Sequence, residues 1–194
     1  MKCYACENKL NSSYIKWLLE LLGPVLMGSK PCEILSIPIF DKNKEYKLTE
    51  IKKHFELCSR INFIIIDKEQ KGLKILFINK TSLNKQLSNI KIKNFLKYLN
   101  YPNPNDLDSC LSHLIKKLYS DEFPDEIGIF LGYPLKDVVG FMGYGNYEFQ
   151  TTKYWRVYGD PKPSEDLYSK FLSHRENIRN LLNSHSAKFI LSNF

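Results

Sequence analysis

The run Arg60–Asn79, RINFIIIDKEQKGLKILFIN, does most to limit how this chain can fold. Two stretches rich in β-branched and aromatic residues flank a polar loop that ends in Gly72, a pattern that reads as an antiparallel hairpin. The first stretch, Ile61–Ile66, is almost continuously apolar, which predicts a strand in the interior of its sheet. A sheet with an interior strand needs layers packed on it, and the rest of the chain supplies helices for them.

Those helices are marked by their stops and stripes. SSYIKWLLELLGP reads as a central helix with Ser12 or Ser13 as cap, Gly23 past its end and Pro24 following. VLMGSKPCEILSI passes a Gly-Ser-Lys-Pro turn into a short helix or strand. KLTEIKKHFELC predicts a short helix capped by Thr49, and TSLNKQLSNIKIKNFLKYLNY one helix or two with lysines outward. PNPND is the strongest break in the chain. After it, Leu107, Cys110, Leu111, Leu114, Ile115 and Leu118 share one helical face.

The stretch DEFPDEIGIFLGYPLKDVVGF, Asp121–Phe141, poses the functional question. It predicts a strand at Ile127–Leu131, a turn at Tyr133-Pro134 and a helix at Leu135–Met142, with Asp137 near the helix's positive end. A glycine-rich loop, GFMGYGNYEFQTT, leads to a strand at Tyr154–Tyr158. A long helix capped by Ser164 closes the chain. The expected fold is α/β or α+β: a small mixed sheet of about four strands with six or seven helices packed on it. It forms a single domain over residues 1–194, and any sub-boundary falls near residues 101–106.

A chain of 194 residues can bury roughly 70% of the surface its unfolded form exposes, enough for one full core. No apolar run approaches the ~18 residues of a membrane span, and the first residues lack the apolar core of a signal peptide. The expected location is therefore the cytoplasm. The five cysteines, Cys3, Cys6, Cys32, Cys58 and Cys110, then read as reduced thiols rather than a disulfide framework. Cys3-x-x-Cys6 is half of a zinc site with no second half in the sequence.

Charge is unevenly placed. Residues 1–100 carry 18 Lys/Arg against 9 Asp/Glu, and residues 101–194 carry 10 against 12. Between Lys68 and Lys97 stand eight lysines and one acid, Glu69. Such a face attracts acidic partners, and Lys85, Lys91 and Lys93 are its candidate contacts. Of the 28 cations 24 are lysine, whereas phosphate and base readers favour the arginine fork. That composition argues against nucleic acid and also fits an AT-rich genome.

Motifs for standard chemistries are missing or misplaced. Gly140, Gly143 and Gly145 follow a helix, whereas a phosphate loop precedes one. Gly28-Ser29-Lys30 is likewise no Walker loop, because no strand is predicted ahead of it. His54, His113, His174 and His185 are scattered, without metal-binding spacing, and His174 reads as a partly buried structural histidine. No metal site is predicted, and the sequence names no cofactor. The ligand-binding candidates are Lys30, Tyr133, Asp137 and Tyr144, in a chain whose later half also gathers Tyr147, Tyr154, Trp155 and Tyr158. Asp121, Glu122, Asp125 and Glu126 form an acidic cluster able to host an acid of raised pKa.

FPDEIGIFLGYPLKDVVGF, YWRVYGD and LGPVLMGSKPCEIL together resemble an uncharacterised bacterial family, domain-of-unknown-function family 3793, along nearly the whole chain. The resemblance implies an origin among anaerobic Gram-positive bacteria and a place near genes for flavodoxins and iron uptake, but no activity. Members often carry His where this chain has Asp125, and a His-Cys pair ahead of Gly23. GIFLG also looks like the strand that bears the histidine of papain-like NlpC-type hydrolases, with neither Cys nor His at the required places. Three functions follow as expectations. One is a binding or accessory protein for an acidic redox partner such as flavodoxin, or for a small cofactor. Another is an enzyme of unknown reaction, including a degenerate hydrolase of that type, with one deep cleft uniting Lys30, Tyr133 and Asp137. The third is a nucleic-acid binder through the lysine-rich patch.

Overall fold

A computed structural model describes residues 4–56, 58–68 and 71–194, with side chains described from residue 13. The Cys3–Cys6 pair lies outside these described side chains. Ten helices and two antiparallel sheets make up the described chain.

Three strands form the larger sheet: β1 (Cys32–Ile37), β2 (Asn62–Lys68) and β3 (Gly72–Ile78), in the order β1-β3-β2. The predicted hairpin is β2–β3, with Phe63 opposite Phe77 and Ile65 opposite Ile75. The interior strand is β3 and not β2, because β1 pairs along the other edge of β3, Leu35 opposite Ile75. Alternation along β3 sends its side chains into two separate cores. Leu76 and Ile78 enter one core, and Leu73, Ile75 and Phe77 the other.

The first core is roofed by α4 (Lys80–Leu87), α5 (Ile90–Tyr98) and α6 (Leu107–Tyr119), through Leu83, Leu96 and Leu114 among others. The second lies against α1 (Tyr4–Leu21), α2 (Gly23–Leu26), α3 (Lys44–Phe55), α9 (Lys162–Ser184) and α10 (Ala187–Asn193). Helices on both faces of a small sheet are the expected layer arrangement. The loop at residues 101–106 joins α5 to α6, whose buried faces share the first core.

Caps differ from the expectation. Because α1 begins at Tyr4, Ser12 and Ser13 are interior, and Thr49 lies inside α3 with its hydroxyl on the Glu45 carbonyl. Gly23 opens α2 instead of ending α1. A Cβ there would stand 2.8 Å from the His174 carbonyl oxygen, so the close approach of α9 requires the glycine.

The largest correction concerns residues 127–131, which do not form a strand. Ile127–Phe130 make a single helical turn, α7, and Gly132, at φ 81°, reverses the chain toward α8 (Leu135–Phe141). Ile129 and Phe130 are fully buried in the first core. A short apolar run has no period to separate a buried strand from a buried helical turn, and the burial of this one is met without a sheet edge. Its loss also removes the strand–helix–strand unit, and among the described residues every strand pairing is antiparallel, so neither sheet is mixed. A strand appears instead within the glycine-rich segment. There β4 (Phe149–Thr152) pairs with β5 (Arg156–Tyr158) as a two-stranded hairpin.

Candidate functional site

The Tyr133-Pro134 corner starts α8, with Pro134 held at φ −54° and ψ 133° just before the first helical residue. Asp137, in the first turn of α8, faces inward with 1% of its surface exposed. Oδ2 accepts from Trp155 Nε1 at 2.7 Å and Ser164 Oγ at 2.6 Å, and Oδ1 from the Tyr158 backbone N–H at 2.8 Å. Lys136 Nζ donates to Oδ1 at 2.6 Å, to the Tyr158 carbonyl at 2.7 Å and to Ser164 Oγ at 2.8 Å. Each carboxylate oxygen therefore has two donors, and the ammonium has three acceptors. The Asp137 carboxylate ties α8, β5 and the start of α9 together. Ser164, expected as a cap, is instead a member of this network.

The network also sets the aromatic rings. With its N–H held by Asp137, the Trp155 indole stacks on Tyr133 at 4.4 Å between centroids and 17° between planes. Phe171 meets the indole edge-on at 6.1 Å. In front of these rings opens a cavity of about 350 Å³, walled by Phe123, Ile127, Tyr133, Val138, Phe141 and Trp155. Arg156, with its guanidinium 5.7 Å from the Phe141 ring centre, and Asp125 bring charge to this cavity.

A second cavity of about 250 Å³ lies behind Tyr133, among Lys30, Glu33, Tyr154, Phe171 and Arg175. Lys30, only 4% exposed, places its ammonium 2.7 Å from Glu33 Oε2. It also lies 5.5 Å from the ring centres of both Tyr133 and Phe171. Burial, then the neighbouring Glu33 and Tyr154, holds the Tyr133 phenol above its ordinary pKa, so it stays a protonated donor.

The expectation that Lys30, Tyr133 and Asp137 share one cleft is corrected by this geometry. Tyr133 lines both cavities, Asp137 borders the first, and Lys30 borders the second. Tyr144 lines neither; its ring packs on Phe95 at 6.0 Å and Tyr98 at 5.4 Å. Lys85 and Lys91 are exposed and Lys93 is half-buried. None of the three has a carboxylate at ion-pair distance among the described residues.

The acidic cluster does not converge. Asp121 is exposed and pairs with Lys71 at 2.9 Å, whose hydrogen bond holds its carboxyl below the usual range. Glu126 is buried and accepts from Tyr101 Oη at 3.0 Å and from Lys117. Cys32 sits fully buried, and burial raises its thiol far above the ordinary value, which leaves it no exposed thiolate. His174 is half-buried with Nδ1 2.8 Å from Ser29 Oγ, the structural role expected of it. Among the described residues no three His, Cys, Asp or Glu side chains gather as a metal site, and no helix is long and apolar enough to cross a membrane.

Lys136 and the ring walls at Phe123 and Phe141 went unread in the sequence. A Lys-Asp pair inside an otherwise apolar segment was the one available signal, since buried charges occur together with partners. The profile of the family described as "Protein of unknown function (DUF3793)" matches residues 18–190. No curated protein and no solved structure matches the chain.

Proposed function

The chain belongs to DUF3793, and from its site we propose that it is a binding protein for a small, flat, largely apolar molecule held against Trp155. The observation that carries this reading is an aromatic wall, Trp155 stacked on Tyr133, whose indole N–H is held by Asp137. Ligand sites are typically concave, mostly apolar and ~300–1,000 Å³ in volume, with a few polar groups for orientation. The first cavity, at about 350 Å³ with Arg156 and Asp125, fits that description. Its buried carboxylate already takes four donated hydrogen bonds, so it holds structure and offers no free base. Among the described residues no Ser or Cys nucleophile with a His partner lines it.

The protein has two tryptophans, Trp17 and Trp155, so a Trp17→Phe variant isolates the indole of the cavity. Titration with the neutral dye N-phenyl-1-naphthylamine should then give saturable energy transfer from Trp155. Phe141→Ala should weaken binding about five-fold, as loss of one aromatic contact worth ~1 kcal/mol would do. No saturable transfer rejects the reading.

A second reading rests on a different surface. Lys85, Lys91, Lys93 and Lys97 lie on α4 and α5 beside Ile90 and Tyr98, which are 66% and 64% exposed. Cations that pair with no acid among the described residues, beside exposed apolar groups, suit docking of an acidic protein such as a flavodoxin. Charge reversal at Lys85, Lys91 and Lys93 should abolish salt-sensitive retention on immobilised flavodoxin; unchanged retention rejects this second role.

A further inference from the structure

We infer that the ligand of the apolar cavity carries an anionic tail, and that the second cavity, beside Lys30 and Arg175, receives it. The inference rests on the first cavity being a binding site and names the chemical class of its ligand: an arylalkanoic acid, with a flat ring, a few methylenes and a carboxylate.

Lys30 is the starting point. Its ammonium carries three donors, yet among the described residues it makes one hydrogen bond, to Glu33. The Tyr133 and Phe171 faces attract the charge at 5.5 Å but do not replace the missing acceptors. A buried donor left without an acceptor is costly, and this one borders an open cavity of about 250 Å³. Arg175 borders the same cavity. It donates to the Tyr154 hydroxyl and lies 3.6 Å from Glu20, a carboxylate that Arg179 already holds at 2.6 Å. Among the charged residues that line this cavity, Lys30 and Arg175 are cations and Glu33 is a carboxylate. The excess of one cation suits a monoanion better than a dianion.

The two cavities adjoin across a shared wall. Tyr133 and Tyr154 line both. Tyr133 is held by its stack on Trp155, while Tyr154 is 46% exposed and leaves its flank open to solvent. A short alkyl chain passing Tyr154 joins a ring stacked near Trp155 to a carboxylate beside Lys30.

Displacement of N-phenyl-1-naphthylamine from the Trp17→Phe protein measures this. The competitors are 2-naphthylalkanoates of two to four chain carbons, the matching neutral alcohols and the matching phosphate monoesters. The best carboxylate should compete at least about ten-fold better than its alcohol, as expected for charge-assisted hydrogen bonds, and better than its phosphate. Arg175→Met and Lys30→Met should each reduce the carboxylate's advantage toward unity while leaving the alcohol unchanged. Arg175 is the more exposed of the two, so its variant decides the matter if Lys30→Met fails to fold. Equal competition by acid and alcohol, or an advantage that survives Arg175→Met, overturns the inference and leaves the apolar site standing. Absence of dye uptake rejects both.

Discussion

The sheet half and the corner half of this molecule are held together in different ways. Around β3 the chain relies on many apolar contacts spread over two cores, with Leu73, Ile75, Leu76, Phe77 and Ile78 all buried. Around α8 and the β4–β5 hairpin it relies on one ion pair and its hydrogen bonds. A two-stranded hairpin is marginal by itself, and β4 is largely exposed. Val157, Trp155 and Phe171 give it only a small core of its own. The Asp137 network supplies what that core lacks. Distributed packing tolerates a single change; a pin does not, and a pin can hold rings around an open cavity where close packing would fill it.

Asp137→Ala should break the comparison open most clearly. It leaves the Trp155 and Tyr158 N–H groups and the Ser164 hydroxyl without their acceptor and removes the counter-charge of the Lys136 ammonium. Loss of one partner from a buried charged network costs ~3–5 kcal/mol, read by urea unfolding. In the Trp17→Phe background it should also shift Trp155 emission to the red as the hairpin loosens. Ile75→Val, in the sheet half, should cost ~0.5–1.5 kcal/mol and leave that emission unchanged. Equal spectral responses would erase the distinction.

Gly140→Ala tests the same joint by steric means. A Cβ at Gly140 would stand 2.5 Å from Tyr158 Cγ, where α8 meets β5. Overpacking of this kind costs ~1–3 kcal/mol, and the dye affinity should fall with it. Unchanged stability and affinity would show that α8 does not bear closely on the hairpin.

The smallest effect is one of pH. Burial holds His54, His113 and His174 below the ordinary histidine value of 6.5, with Lys117 adding to the effect at His113 and Lys170 at His174. The unfolded chain therefore binds protons more readily than the folded one. Stability should be level above pH 6.5 and fall as pH drops below it. His54 lies on α3 over the second core, and His113 lies on α6 over the first, against Tyr101. Comparing the acid limb of stability in His54→Gln and His113→Gln assigns this fall to one face of the sheet or the other; an acid limb unmoved in both contradicts the assignment to half-buried neutral histidines.

The same contrast explains what the sequence disclosed. The β2–β3 hairpin was legible because its pattern is local, and the buried face of α6 because Cys110, Leu111, Leu114 and Leu118 repeat at helical spacing. Residues 127–131 carry no period, so their apolar run predicts a strand where the chain forms a buried turn of helix. Asp137 is a ligand-binding candidate by sequence, and in the structure it is the centre of a buried hydrogen-bond network. Its four donors come from Lys136, Trp155, Tyr158 and Ser164, up to 27 positions away, and no local spacing encodes their meeting. Lys30 and Tyr133 were found as single residues, while the wall that divides their cavities exists only in three dimensions.

A crystal structure of the protein soaked with N-phenyl-1-naphthylamine puts the central claim to its most direct test. The account predicts the dye's rings in the cavity between Phe141 and Trp155, with the Trp155 N–H still on the Asp137 carboxylate. Dye bound elsewhere with that cavity empty, or an indole turned away from Asp137, would contradict it.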